Sequence, residues 1–313
     1  MRDRVIVISP RKSGTHLIQR LLVNLGYGTW GDLGVPATDL PRFSIRERIK
    51  LARLVLPDDE YSALDVRGNR AEFIEKTNLA WEKMAASWAE RLGQAAVPGL
   101  PGVRPGLWRS AFSDTPAHVS WFFHSLDISR IDPGFLTEWR ATGQPAFILN
   151  LRDPRDALVS MANFLASPRT GEIVKSAEGP IFFPSYSAVP DLQDRIDMIL
   201  TDPCVPLFQD YDRAVSFFRH PDVCKVSFEE LVGPEGGGDR TLQLQAIIRV
   251  AEFLEVGVSD MASLAARLYD RHSFTFHRGQ SGVWRTAFND SHKVLFDDKH
   301  GSLLSTLGYR SCR

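Results

Sequence analysis

The chain has 313 residues, 43% of them hydrophobic and 24% charged, which is ordinary for a folded protein and argues against disorder, collagen or coiled coil as the dominant state. Lys and Arg number 37 against 38 Asp and Glu, a net charge of −1, so no overall basic field recruits nucleic acid or an acidic membrane, and an anionic ligand has to be met by a local cluster. Three widely spaced cysteines suit neither a disulfide scaffold nor a zinc site, and no apolar run approaches the roughly 18–20 residues of a membrane span, so a soluble cytoplasmic protein is expected.

Residues 5–8, Val-Ile-Val-Ile, form a continuous β-branched run of the kind that suits a parallel strand buried on both faces. A polar turn breaks it. Ile18, Leu21, Leu22 and Leu25 then recur at helical spacing, and glycines at 26 and 28 stop the helix. Helical patches follow at 46–56 and 70–92, then a Pro/Gly-rich loop at 98–106. Residues 119–123 predict a strand ending in His124, and 146–151 predict another, followed by the charged turn Arg152-Asp153-Pro154-Arg155-Asp156 and a helix through Leu165. A helical patch at 192–200, a strand at 223–227 and helices around 244–254 and 259–271 complete the pattern. Strands alternating with helices imply an α/β fold with a parallel sheet, whose ligands sit at the carboxyl ends of the strands.

Two loops fall at that edge. The first, Ser9 to His16 (SPRKSGTH), joins a buried strand to a helix N-terminus, where unpaired backbone N–H groups and the helix dipole favour an anion. Gly14 allows close backbone approach, Lys12 adds a charge, and Ser13, Thr15 and His16 add donors. It is not the triphosphate loop GxxxxGK followed by Ser or Thr, because Lys12 precedes Gly14. In the second loop Arg152 offers a planar fork suited to phosphate oxygens, and Ser160 lies one turn into the following helix.

The segment PRKSGTH resembles the PKSGT loop of the sulfotransferases, which binds the 5′ end of 3′-phosphoadenosine-5′-phosphosulfate (PAPS) and leaves PAP as product. That resemblance implies a later RxPRDxxxS motif, matched by Arg152 to Ser160, with Arg152 and Ser160 on the 3′-phosphate. It also implies a C-terminal loop resembling RKGxxGxWxxxF, matched by Gly279, Gly282, Trp284 and Phe288, with Arg278 in place of the family Lys and His277 in place of its Arg. Phe228 stands where the family has an aromatic at the adenine, and Leu17 replaces an adenine-stacking Trp. The resemblance thus implies a three-layer αβα, P-loop-NTPase-like sulfotransferase fold with a central, mainly parallel sheet. The cofactor residues it implies are Arg11, Lys12, Ser13, Gly14, Thr15, His16, Arg152, Ser160, Phe228, Arg278 and Gly279, with no metal. Because these positions span most of the chain, a single domain over 1–313 is expected, with insertions around 36–105 and 166–210.

Sulfuryl transfer to a hydroxyl needs a base, and His is the natural choice near neutral pH. In the family that the chain resembles, the catalytic His ends a strand upstream of the 3′-phosphate motif, which implies His124 at the end of the 119–123 strand, whereas His118 lies before that strand. The catalytic set implied is His124 as base, Lys12 stabilising the departing nucleotide, and Ser160; Phe122 replaces a Lys that the family often has two residues before the base. Trp81, Trp88, Trp108, Phe182, Phe183 and Tyr186 are candidates to line a pocket for an apolar or aromatic small-molecule acceptor, or to pack the core. A kinase or other phosphotransferase using ATP and Mg²⁺, and a non-catalytic PAP- or PAPS-binding protein, are the alternatives.

Overall fold

The computed structural model describes residues 1–31, 36–94, 110–168, 181–269 and 279–312. In chain order the elements are β1 (Arg4–Ile8), α1 (Thr15–Asn24), β2 (Gly28–Gly31), α2 (Ile45–Val55), α3 (Asp58–Ser62), α4 (Arg70–Arg91), β3 (Val119–Phe123), α5 (Pro133–Thr142), β4 (Ala146–Leu151), α6 (Pro154–Leu165), α7 (Phe183–Ser187), α8 (Leu192–Thr201), α9 (Phe208–Phe218), β5 (Val223–Ser227), α10 (Phe228–Leu231), α11 (Arg240–Phe253), α12 (Met261–Leu268), α13 (Trp284–Ala287) and α14 (Asp290–Thr306). The five strands form one sheet in the order β2-β3-β1-β4-β5, every neighbouring pair parallel.

The unbroken apolar runs are explained by helices on both faces. Successive strand side chains point to opposite sides. Val5 and Val7 therefore join a cluster with α1, α11 and α12, while Ile6 and Ile8 join the opposite one. That second face is aromatic. Trp121 of β3 has the rings of Trp30, Trp81 and Phe112 at 5.0–5.3 Å, mostly edge to face. This is the three-layer αβα arrangement. No helix among the described residues is long and apolar enough to cross a membrane.

β2 was not anticipated. It has four residues, two of them glycine, and carries little strand signal of its own; pairing with β3 creates it. A Cβ on Gly31, at φ +133°, would run into the backbone of Phe122. The segment 36–105 supplies α2 to α4, and 166–210 supplies α7, α8 and the start of α9. The expected loop at 98–106 lies outside the described residues.

Parallel strands bring all their carboxyl ends to one edge. The loop after β1, His124 after β3, Arg152 after β4 and Phe228 after β5 consequently gather there.

Candidate active site

The loop after β1 is shaped by its own hydroxyls. Ser9 Oγ lies 2.9 Å from both Ser13 Oγ and Thr15 Oγ1. Asn150 of β4 donates from Nδ2 to Ser9 Oγ and to the Ser13 carbonyl, both at 3.0 Å. Ser9, Ser13 and Asn150 are fully buried. The side chains of Ser13 and Thr15 thus brace the loop from inside, and what the loop presents outward is backbone and Lys12. Lys12 and Gly14 both take left-handed backbone, φ +65° and +86°. Gly14 begins α1 with no capping side chain and no acidic residue in the first turn. The first-turn N–H groups are therefore not claimed by a side-chain cap. A Cβ on Gly14 would come within 2.5 Å of the Phe228 ring, so the glycine is required both for its torsion and for space.

Lys12 reaches over the Phe164 ring with its Nζ 4.0 Å from the centroid, one helical turn beyond half-buried Ser160. Desolvation, then the charge of Arg152, push the Lys12 ammonium down to about 7. Burial lowers His16 as well, against its hydrogen bond with Gln19 (Nδ1 to Oε1, 3.0 Å), and the charges of Lys12 and His124 add to the fall. The Arg11 guanidinium turns the other way and holds Asp210 of α9, with Nη1 at 2.9 and 2.7 Å from the two carboxylate oxygens.

Arg152 joins three segments. Nη1 donates to the Lys12 carbonyl at 3.3 Å and Nη2 to the Gln280 carbonyl at 2.8 Å. Its guanidinium stacks on Phe228 at 4.2 Å, and its buried Nε has no partner. Asp156 carries the same stitching further, accepting the N–H of Gly282 at 2.6 Å and of Trp284 at 2.9 Å. Burial raises the Asp156 carboxyl; Arg152 and those two N–H groups oppose the rise. Asp153 caps α6 and pairs with buried Arg155 at 2.7 Å.

His124 lies at the same edge. Its Nδ1 is 2.9 Å from the Ser9 carbonyl oxygen. A carbonyl only accepts, so Nδ1 carries the proton and the lone pair of the neutral ring resides on Nε2, the arrangement a general base needs. His118 sits at the far end of β3, where its N–H donates to the Asp3 carbonyl at 2.6 Å.

Of the residues singled out in the sequence, Lys12, Gly14, His16, His124, Arg152, Ser160, Phe228 and Gly279 are placed around this edge. Arg278 and His277 lie outside the described residues, as does Trp108. Trp88 and Tyr186 are fully buried in the aromatic core, Trp81 and Phe182 nearly so, and Leu17 packs in the cluster against α11 and α12. Ser9, Asn150, Asp156 and Asp210 were not singled out. Asp156 was visible inside the second motif, whereas Asp210, 199 positions from Arg11, has no local signal.

The donors suit an anion such as a phosphate group. A helix N-terminus without a side-chain cap, an ammonium and a guanidinium with an unpartnered buried N–H converge on one place. Among the described residues, no group of three or more His, Cys, Asp or Glu is arranged to hold a metal ion. No family model matches the chain, and no curated protein matches its sequence. In three dimensions the chain is similar to mouse sulfotransferase SULT7A1 complexed with PAP, with a TM-score of 0.52 and 14% identity over 97% of this chain and 85% of that one. The five-stranded parallel sheet with its helical layers is a sulfotransferase fold.

Proposed function

We propose that the protein is a cytoplasmic, single-domain sulfotransferase that moves the sulfuryl group of PAPS to a hydroxyl or amine of a small molecule. The observation that carries this is the convergence of three distant segments through Arg152, beside an α1 N-terminus that no side chain caps. In this reading the α1 N–H groups and Lys12 hold the 5′-phosphate end, and Arg152, Ser160, Arg278 and Gly279 hold the 3′-phosphate. Phe228, packed on Gly14 and under Arg152, walls the nucleotide site. Free thiols at Cys204, Cys224 and Cys312 accord with a reducing compartment.

The bound nucleotide supplies an activated sulfuryl group on its 5′-phosphate. His124 Nε2 takes the acceptor's proton as the acceptor oxygen bonds to sulfur. The bond from sulfur to the phosphate oxygen breaks, its electron pair stays on that oxygen, and the Lys12 ammonium offsets the charge. Ser9, by fixing the His124 tautomer through its carbonyl, keeps the base ready.

A transfer assay with PAPS across phenols, aliphatic alcohols, amines and charged polysaccharides tests the reading. Transfer to small molecules is expected, with His124→Ala lowering kcat by about 100-fold or more while PAP binding is retained. Unchanged transfer in His124→Ala overturns the base assignment, and activity confined to polysaccharides overturns the acceptor class.

A further inference from the structure

β5 is an edge strand of the sheet, and a cavity of about 530 Å³ is built against it, within the roughly 300–1,000 Å³ of small-molecule sites. None of the predicted cofactor residues lines it. Its apolar wall includes Leu151 of β4, Phe218 of α9 and Phe253 of α11. Phe218 and Phe253 are only half-buried, so ring surface is left for an occupant. The polar side is cationic. Glu230 has spent both carboxylate oxygens, Oε2 on the Ser227 N–H and Oε1 on Arg249 Nη2, each at 2.8 Å. Lys225 lies on the same wall, and its Nζ donates to the His220 carbonyl. Among the described residues it forms no ion pair, and an ammonium has three N–H donors, so two stay available.

The outer edge of β5 is closed to a further strand. The Val223 N–H donates to the His220 carbonyl at 3.4 Å, the Lys225 carbonyl accepts Arg249 Nε at 3.2 Å, and the Ser227 N–H is held by Glu230. These contacts blunt the edge, as native sheets do, so an occupant has to bind through side chains. A neutral apolar molecule would gain only the wall. A small anion would gain only a half-exposed charge, worth little in water. We infer that the cavity is a second ligand site, for an amphipathic organic anion whose apolar body packs against Phe218 and Phe253 while one carboxylate or sulfate head bonds Lys225. The site does not rest on the sulfotransferase reading.

Calorimetric titration of the full chain with octanoate, octyl sulfate and 1-octanol tests it. One anion per chain is expected to bind, about tenfold more tightly than octanol, and the stronger of the two anions identifies the head group. Lys225→Met should erase the preference over octanol and Lys225→Arg should keep it, with thermal unfolding showing both variants folded. The inference is overturned if neither anion binds, if octanol binds as tightly, or if Lys225→Met leaves the anion affinity unchanged. A dimer in sedimentation that Lys225→Met dissolves would seat a second copy of the chain in the cavity and overturn it as well.

Discussion

The units β1–α1 and β4–α6 lie side by side in the sheet and share one plan of strand, polar loop and helix, yet their helices begin differently. α1 starts at a left-handed glycine with no side-chain cap and no acid in its first turn. α6 starts at Asp153, which caps it, with Pro154 next and Asp156 in the first turn. The carboxylates of α6 are committed inward, Asp153 to Arg155 and Asp156 to the backbone of Gly282 and Trp284. Asp153 thus occupies the N-terminus of the second helix, and in the proposed reading that unit contributes the Arg152 side chain instead. The first offers backbone and Lys12. A strand–loop–helix unit does not bind phosphate by topology alone; what distinguishes the two is whether a side-chain carboxylate already occupies the helix N-terminus.

The contrast can be broken from either side. Asp153→Ala uncaps α6 and strands buried Arg155, and breaking such a buried pair costs about 3–5 kcal/mol, which thermal or urea unfolding should report. Gly14→Asp gives the first unit the feature of the second. The strained torsion, the overlap with Phe228 and the added negative charge should lower PAP affinity by about 100-fold or more in calorimetry. Arg152→Gln removes the charge that the second unit contributes. Loss of a hydrogen bond to a charged group, about 1.5–3 kcal/mol, predicts a roughly 10- to 100-fold weaker PAP complex. The smallest effect is on pH. PAP favours protonated Lys12, which in the free protein is pushed down to about 7. Its pKa therefore rises on binding, protons are taken up, and affinity falls by up to about tenfold per unit as pH climbs above 7. Calorimetry in buffers of different ionisation enthalpy measures that uptake, and Lys12→Met should abolish it.

The first unit was largely legible in the sequence because its parts are local. A β-branched run buried on both faces, a polar turn and a helical apolar spacing lie within residues 5–25, and the strands Val119–Phe123, Ala146–Leu151 and Val223–Ser227 share that quality. Gly28–Gly31 did not, since an edge strand with glycine at both ends is made by its neighbour. Within the site, the loop motifs and the family resemblance pointed to Lys12, His124 and Arg152, and the fold brings them to one edge. The inward turn of Ser13 and Thr15 depends on Ser9 and on Asn150, which is more than a hundred residues away. The Arg11 side chain is claimed by Asp210 from another helix. Aromatic residues in the insertions were the least readable, because an apolar ring looks the same in a pocket and in a core. Trp88 and Tyr186 prove to be core.

Calorimetric titration of the wild-type protein with PAP in the presence of EDTA tests the central claim, that the open α1 N-terminus and Arg152 together form a nucleotide-phosphate site. One PAP per chain should bind, more tightly than ATP, with no gain on adding Mg²⁺. Failure to bind PAP, or binding of ATP only with Mg²⁺, would contradict the account.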